Sequence, residues 1–190
     1  MALRHAVLAA LLENDFSGYQ LAKAFDVGVA HFWHALPQQL YAELAKLEKE
    51  GLITGREVVQ TGRPNKRVFT VTGTGLAELE RFVAADPKPT SIRDDLLVKV
   101  QTADQVDAAS VIAQLDERAA AAGTRISAYE DLLVRLRGDL AEDDYLREGT
   151  HIGPYLTCQR GLALERETRA WCVRTAAVLR SREAARAGRR

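Results

Sequence analysis

The stretch LYAELAKLEKEGLI (residues 40–53), followed by GRPNKRVFTVT (residues 62–72), decides the fold. At about 100° per residue, Leu40, Leu44 and Leu47 gather on one side of a helix. Gln38, Gln39, Ala42, Lys46 and Lys49 gather on the other side. The helix spans residues 37–50: Pro37 suits a first turn, and Gly51 closes the last one. Residues 52–60 and 67–72 read as two strands joined by a turn at 61–66. A helix with one polar face, followed at once by a cationic hairpin, is a helix and its wing.

Upstream, Leu3, Val7, Leu8, Leu11 and Leu12 recur with a helical period, so a first helix ends near Asn14. Ser17-Gly18-Tyr19-Gln20 has the spacing of a capping box. A second helix therefore starts at Ser17, runs through Leu21, Ala22 and Phe25, and ends at Gly28. The connector 29–36 is aromatic, with Phe32 and Trp33. Downstream, Thr72 caps a fourth helix through Leu76, Leu79, Phe82 and Val83. Residues 1–85 make one head, and the Asp-Pro-Lys-Pro run opens a linker at 86–91.

Residues 92–100 read as a short helix, and Thr102-Ala103-Asp104-Gln105 has the spacing of a second capping box. Behind it Ile112, Leu115, Ala119, Ala122, Ile126, Tyr129, Leu133, Leu136 and Leu140 step by three and four in turn, the rhythm of a coiled-coil seam. Residues 149–154 break the helix. A second long helix carries a weaker seam of Gly161, Leu164, Thr168, Trp171, Thr175 and Val178. Two long helices with a short break suggest an antiparallel arm over 92–182, with so long a seam that a second chain is expected to cover part of it. The expected dimerisation contacts are Ile112, Leu115, Ile126, Tyr129, Leu133, Leu136, Leu164, Trp171 and Val178. The basic tail, 183–190, is expected to be disordered and solvated. The fold class is mainly α: a winged helix-turn-helix head with a two-stranded β-wing, plus a C-terminal antiparallel, coiled-coil-like arm for dimerisation.

The 190 residues are 47% hydrophobic and 27% charged, enough for a sizeable core. Lys+Arg and Asp+Glu both number 26, so net charge lends nucleic-acid binding no support, and the case rests on where the cations sit. In residues 1–85, four Lys and five Arg balance two Asp and seven Glu. Residues 52–67 differ: Arg56, Arg63, Lys66 and Arg67 face Glu57 alone. Cys158 and Cys172 stand fourteen residues apart, about 21 Å along one helix and too far for a bridge, which suits two reduced thiols. The apolar run at 6–12 is short and ends in Glu13, Asn14 and Asp15, unlike a secretory leader. No stretch approaches the roughly 20 apolar residues of a membrane span. A cytoplasmic protein is expected, without membrane partner or cofactor.

The B-form major groove admits a helix and displays a distinct donor and acceptor pattern at each base pair. Gln38 and Gln39 stand at the start of the polar face, where a reading helix meets base edges. Their amides both donate and accept, which suits adenine. Ala42 is small enough for a thymine methyl, and Lys46 suits a phosphate or a guanine. Tyr41 either packs or sends its hydroxyl to a phosphate, and Tyr19 can meet the backbone near the second helix start. On the wing, Arg63, Asn65, Lys66 and Arg67 can hold phosphates or enter the minor groove, although Arg67 can instead pair with Glu57. The competing reading is a dimeric interaction module whose winged head docks a protein, which the zero net charge favours. His31 and His34 are three apart, but no carboxylate or thiol completes a metal site. Asp94-Asp95 and Asp143-Asp144 suit helix starts. No nucleophile elbow, phosphate-cradling loop or acid–base constellation stands at a recognisable spacing, so an enzyme is not expected.

This order of pieces resembles the PadR family of bacterial regulators. The resemblance is carried by Ser17-Gly18-Tyr19, Leu40-Tyr41, Leu47-Glu48, Glu50-Gly51-Leu52 and the run 66–72 before Gly75. The long C-terminal region resembles the branch that includes virulence-gene activators. The family implies a homodimer built by the arms, with its heads on a pseudo-palindromic operator in double-stranded DNA. Many members are repressors released by small aromatic compounds. On that resemblance alone, Trp33, Tyr155 and Trp171 are candidates for an effector pocket, although aromatics at helical spacing equally serve a core. Leu36 stands where Ser or Thr often precedes the proline, and Gln38 where glycine is common, so an operator sequence does not carry over from relatives.

Overall fold

A computed structural model describes residues 2–25, 33, 35–62, 65–87, 89 and 92–188. The chain divides into two compact units, Met1–Lys88 and Pro89–Arg190. In the first, α1 (Ala2–Glu13) leads to a short strand β1 (Phe16–Ser17), then α2 (Gly18–Ala24), α3 (Pro37–Lys49), β2 (Ile53–Val58), β3 (Lys66–Val71) and α4 (Gly73–Ala84). The sheet has one strand more than the two expected. β3 lies in the middle, antiparallel to β2 with Ile53 opposite Val71, and antiparallel to β1 with Phe16 opposite Phe69. Ser17 ends β1 and caps α2: it and Gln20 exchange the reciprocal bonds of a capping box. The expected end of that helix at Gly28 lies outside the described residues.

The leucine stripe of α3 forms the centre of the head. Leu40, Leu44 and Leu47 are at most 1% exposed. They meet Val7, Leu8 and Leu11 of α1, Leu21 of α2, Phe25, Ile53 of β2, Phe69 of β3 and Leu79 of α4. α3 stops because Gly51 adopts φ 72°, a region open to glycine. The Leu52 amide then reaches back to the Leu47 carbonyl at 2.9 Å, and the Gly51 amide to Glu48 at 3.0 Å, satisfying carbonyls the helix end leaves free. Thr72 caps α4 as expected, accepting from the Gly75 amide at 3.1 Å.

The second unit comprises α5 (Asp95–Thr102), α6 (Ala109–Arg137), α7 (Glu142–Glu148) and α8 (Ile152–Ala187). Its long helices run antiparallel: Ala108 meets Glu183, Asp116 meets Arg180, Arg125 meets Glu165 and Tyr129 meets Cys158, so positions rise along α6 as they fall along α8. The α6 stripe is the one the sequence marked as far as Leu136; Leu140, which the seam also included, is exposed beyond the end of α6. Ile112, Leu115, Ala119, Ala122 and Tyr129 are buried, with Ile126 and Leu133 packed partly against them and Leu136 half-buried. This burial occurs within a single chain, where Ile112, Leu115 and Tyr129 pack inside the arm.

Three expectations for the arm need correction. The inner stripe of α8 is Tyr155, Cys158, Gly161, Leu162, Glu165, Cys172 and Ala176; of the seam expected only Gly161 is in it, and the rest of the stripe lies one residue away. Leu164 and Val178 remain exposed on the outside, and Trp171 is half-buried. The second capping box does not form. Thr102 ends α5, its hydroxyl donates to the Lys99 carbonyl at 2.8 Å, and α6 begins only at Ala109. The tail is helical to Ala187 rather than frayed. Arg182 bonds Asp104 at 2.6 Å, and Glu183 accepts from the amide of the N-cap residue Ala108 at 3.1 Å, tying the end of α8 to the start of α6.

Asp94 caps α5, accepting from the Leu96 amide at 3.0 Å and from Arg118 Nη1 at 2.8 Å. The bond from Arg118, joined by the Leu96 amide, holds its carboxyl below the ordinary value despite partial burial. A carboxyl lowered on folding contributes stability above its unfolded pKa and loses it as pH falls through the folded one. The urea midpoint is therefore expected to fall below about pH 4, and Asp94→Asn to flatten that part of the profile while costing about 1 kcal/mol at neutral pH. Equal acid slopes in the two proteins would contradict this.

Candidate nucleic-acid interface

The polar face of α3 is open. Gln38, Ala42, Ala45, Lys46 and Lys49 are exposed, opposite the buried leucines. Gln39 is exposed as well but is engaged. Leu36 is the N-cap of α3 and its side chain has no acceptor, so only half of a capping box can exist there. That half is present: the Leu36 amide donates to Gln39 Oε1 at 2.9 Å. Gln39 thus spends its oxygen on the helix start, and Gln38 alone keeps a free amide at the first turn.

Tyr41 is half exposed, and one edge of its ring, Cδ1 to Cζ, lies against Gly18 of α2. A Cβ placed on Gly18 would fall 2.3 Å from Tyr41 Cε1. That close approach explains the glycine between Ser17 and Tyr19, and it couples the two helices of the helix-turn-helix. Gly18→Ala is expected to displace the ring and cost about 1–2 kcal/mol by urea unfolding. The cost should disappear in a Tyr41→Ala background; if it persists there, the contact is not the cause. Tyr19 is 63% exposed, and Lys23 Nζ sits 5.1 Å above its ring. This pairs a cation with an aromatic one turn apart on α2.

On the wing, the structure separates the candidates. Arg67 Nη2 donates to Glu48 Oε1 at 2.7 Å, and the Gly55 amide donates to the same oxygen at 2.9 Å. Arg67 therefore ties β3 to α3, rather than pairing with Glu57 as the sequence allowed. Glu57 instead accepts from Asn65 Nδ2 at 2.9 Å, while Asn65 Oδ1 accepts from the Gln60 amide at 3.3 Å. Asn65 holds the hairpin shut from inside the turn. Lys66 is half-buried and opposite Val58. Arg63 lies outside the described residues. Lys23 and Arg56, which were not among the candidate contacts, are exposed and form no ion pair among the described residues.

The acids of the head are largely engaged within it. Glu48 and Glu57 serve the wing, and Glu50 pairs with Arg4. Glu78 accepts from His5 Nε2 at 3.1 Å and pairs with Arg81, and the bond from His5 holds its carboxyl below the usual range. His5, which carried no signal in the sequence, also stacks on Phe82 with centroids 4.0 Å apart. The zero net charge therefore conceals an uneven arrangement: Asp15, Glu48, Glu50, Glu57 and Glu78 are bound to partners, and Lys23, Lys46, Lys49 and Arg56 form no ion pair among the described residues.

Within the arm, Tyr155 and Trp171 are not brought together. Trp33 packs against the core of the head. Tyr155 is buried beside Tyr145 with ring centroids 4.9 Å apart, and Trp171 packs on a different cluster of the arm, about 24 Å further along α8. Cys158 and Cys172 are both buried and free, and burial pushes the Cys158 thiol up to about 11. The histidine pair at 31 and 34 lies outside the described residues. Among the described residues no group of three His, Cys, Asp or Glu could hold a metal, and no helix is long and apolar enough to cross a membrane.

The head and arm each match a known family description. Residues 7–81 match the transcriptional regulator PadR-like family, and residues 92–180 match the virulence activator alpha C-terminal region. The "Probable transcriptional regulator Rv1176c" of Mycobacterium tuberculosis is 31% identical over 96% of this chain and 100% of its own length. The "Negative transcriptional regulator PadR" of Bacillus subtilis is 27% identical over 89% of this chain and 92% of its own. Its structure with operator DNA superposes with a TM-score of 0.72 at 23% identity, covering 94% of this chain and 99% of that one. Its structure with p-coumaric acid gives 0.64 at 23%, over the same shares. The agreement spans the winged head and the helical arm alike, and the chain belongs to the PadR-like family of transcriptional regulators.

Proposed function

We propose that the protein is a repressor that binds a pseudo-palindromic operator as a homodimer in the cytoplasm, with α3 in the major groove and the wing on the flanking backbone. The observation that carries this is the open face of α3, where Gln38, Ala42, Lys46 and Lys49 are exposed without a partner among the described residues while Glu48 and the C-cap residue Glu50 are bound. Gln38 reads a base edge, Ala42 abuts a thymine methyl, and Lys46 meets a phosphate or guanine. Tyr19 with Lys23, and Lys66 with Arg63 of the wing, hold the backbone. Gln39, Asn65 and Arg67 position the reading surface rather than touch DNA.

The dimer forms through the outer stripe of α8. Leu164, Thr168, Trp171, Thr175 and Val178 follow a heptad and keep part of their surface in solvent, the pattern a second helix would cover. Repression is lifted by a small effector, as the p-coumaric acid complex of the Bacillus subtilis relative suggests by analogy.

A salt titration tests the reading. Each phosphate neutralised adds about −0.9 to the slope of log K against log salt. A steep slope is expected, with two chains bound per duplex. Lys46→Ala should lower its magnitude by about 2, one contact from each subunit. Affinity that does not respond to salt would favour a head that docks protein.

A further inference from the structure

We propose that Arg56, with Lys66 beside it, grips the DNA backbone from one face of the wing, so that the hairpin meets phosphates with that face and not with the other. The strand pairing defines the two faces. Thr54 lies opposite Thr70, Arg56 opposite Val68, and Val58 opposite Lys66. Residues directly across a ladder share a face, and so do residues two apart along a strand. Arg56 and Lys66 therefore stand on one face, and Gly55, Glu57, Arg67 and Phe69 on the other.

The Glu57 face is used within the head. Arg67 Nη2 and the Gly55 amide share Glu48 Oε1 at 2.7 and 2.9 Å. Asn65 Nδ2 donates to Glu57 Oε1 at 2.9 Å, a bond that leaves the Glu57 charge in place to repel a phosphate. A Cβ on Gly55 would collide with Arg67 Nε and Glu48 Oε1, so no space remains at the centre of that face.

The Arg56 face has the opposite character. Arg56 is exposed and Lys66 half-buried, and neither forms an ion pair among the described residues. Asp15, at the head end of this face, is engaged by the Thr70 hydroxyl at 2.8 Å. Arg56 and Lys66 are diagonal neighbours, about 7 Å apart, close enough for both heads to reach one stretch of backbone. Two like charges held that close repel in the free protein, and a run of phosphates offsets the repulsion. The guanidinium fork of Arg56 also suits two phosphate oxygens. This assignment rests on operator binding as proposed above and adds which side of the wing meets the backbone.

Salt titrations of the full chain on operator and on random duplex test it. Arg56→Ala should lower the magnitude of the slope of log K against log salt by about 2, one contact from each subunit. It should weaken both duplexes by the same factor and leave the urea midpoint unchanged. Arg56→Lys should restore the slope, because a phosphate accepts a point charge. Arg56→Gln, neutral but of similar reach, should lose the slope as alanine does and decides the matter if the alanine variant is unstable. Glu57→Gln should leave affinity near the wild-type value; were its face on the DNA, removing the carboxylate would tighten both duplexes. A wild-type slope in the alanine and glutamine variants, a loss confined to the operator, a lysine variant as weak as alanine, or tighter binding from Glu57→Gln would overturn the assignment. A steep wild-type slope that Arg56→Ala leaves intact sinks this assignment alone, whereas a wild-type protein whose duplex affinity ignores salt sinks operator binding and this assignment with it.

Discussion

Gln38→Ala is expected to reduce specific operator affinity by about five- to 150-fold per half-site, leaving affinity for random duplex almost unchanged. The neighbouring Gln39→Ala should behave differently. Gln39 Oε1 accepts the Leu36 amide at 2.9 Å, and among the described residues no other side-chain cap serves that helix end. Its loss should cost about 0.5–1 kcal/mol of stability, with only a small and equal effect on specific and random duplex. Two amides one residue apart thus separate into reader and cap. Binding curves on operator and scrambled duplex, with urea midpoints for each variant, distinguish them. A specific loss from Gln39→Ala, with none from Gln38→Ala, would mean that the reading face is rotated from the one assigned.

That division was only partly legible in the sequence. The helix of the head could be read because Leu40, Leu44 and Leu47 return on one side every 3.6 residues, and each is buried. β1 could not, because two residues have no period. Gln39 stands three positions after Leu36, the spacing of a capping box, but the signal is normally sought from a Ser or Thr at the cap and leucine hides it. Arg67 was recognisable as an uncertain contact. Its partner Glu48 is nineteen residues away on another element, and only the fold brings the two within 2.7 Å. Asn65 resembled a phosphate ligand because turns with amides often are, but its donors and acceptors are consumed inside the hairpin.

The arm shows the opposite error. Its α6 stripe was legible because leucines, isoleucine and alanines hold the heptad. On α8 the more hydrophobic stripe, Leu164, Trp171 and Val178, is the outer one. The stripe that packs inward holds two cysteines, a tyrosine, a glutamate, an alanine, a glycine and one leucine. Hydropathy favours the wrong set because Glu165 counts against a core position, yet here it is only 7% exposed. What makes that possible is Arg125, forty residues distant and invisible as its partner from spacing alone.

Arg125→Ala is accordingly expected to destabilise the arm by about 2–3 kcal/mol, as much as many core truncations. Arg125 Nε and Nη2 grip the two oxygens of Glu165 at 2.7 and 2.9 Å. Removing one partner of a buried pair leaves an uncompensated charge and costs about 3–5 kcal/mol; the lower figure applies because the Arg125 side chain is itself 46% exposed and water can reach the site. Removing both charges is a different perturbation. In Arg125→Leu with Glu165→Leu, apolar volume replaces the pair and no charge remains in the seam, so stability should return to within about 1 kcal/mol of the native protein or exceed it. Arg125→Leu, Glu165→Leu and the double variant form a cycle whose coupling term urea unfolding can measure. If the double variant is as unstable as the singles, Glu165 is buried for its packing and not for its pair. A double variant that recovers stability but shows faster amide exchange along α6 and α8 would identify the second contribution of the pair: it holds one register of an antiparallel hairpin whose neighbouring positions, Ala119, Ala122 and Ala176, are small enough to slide past one another.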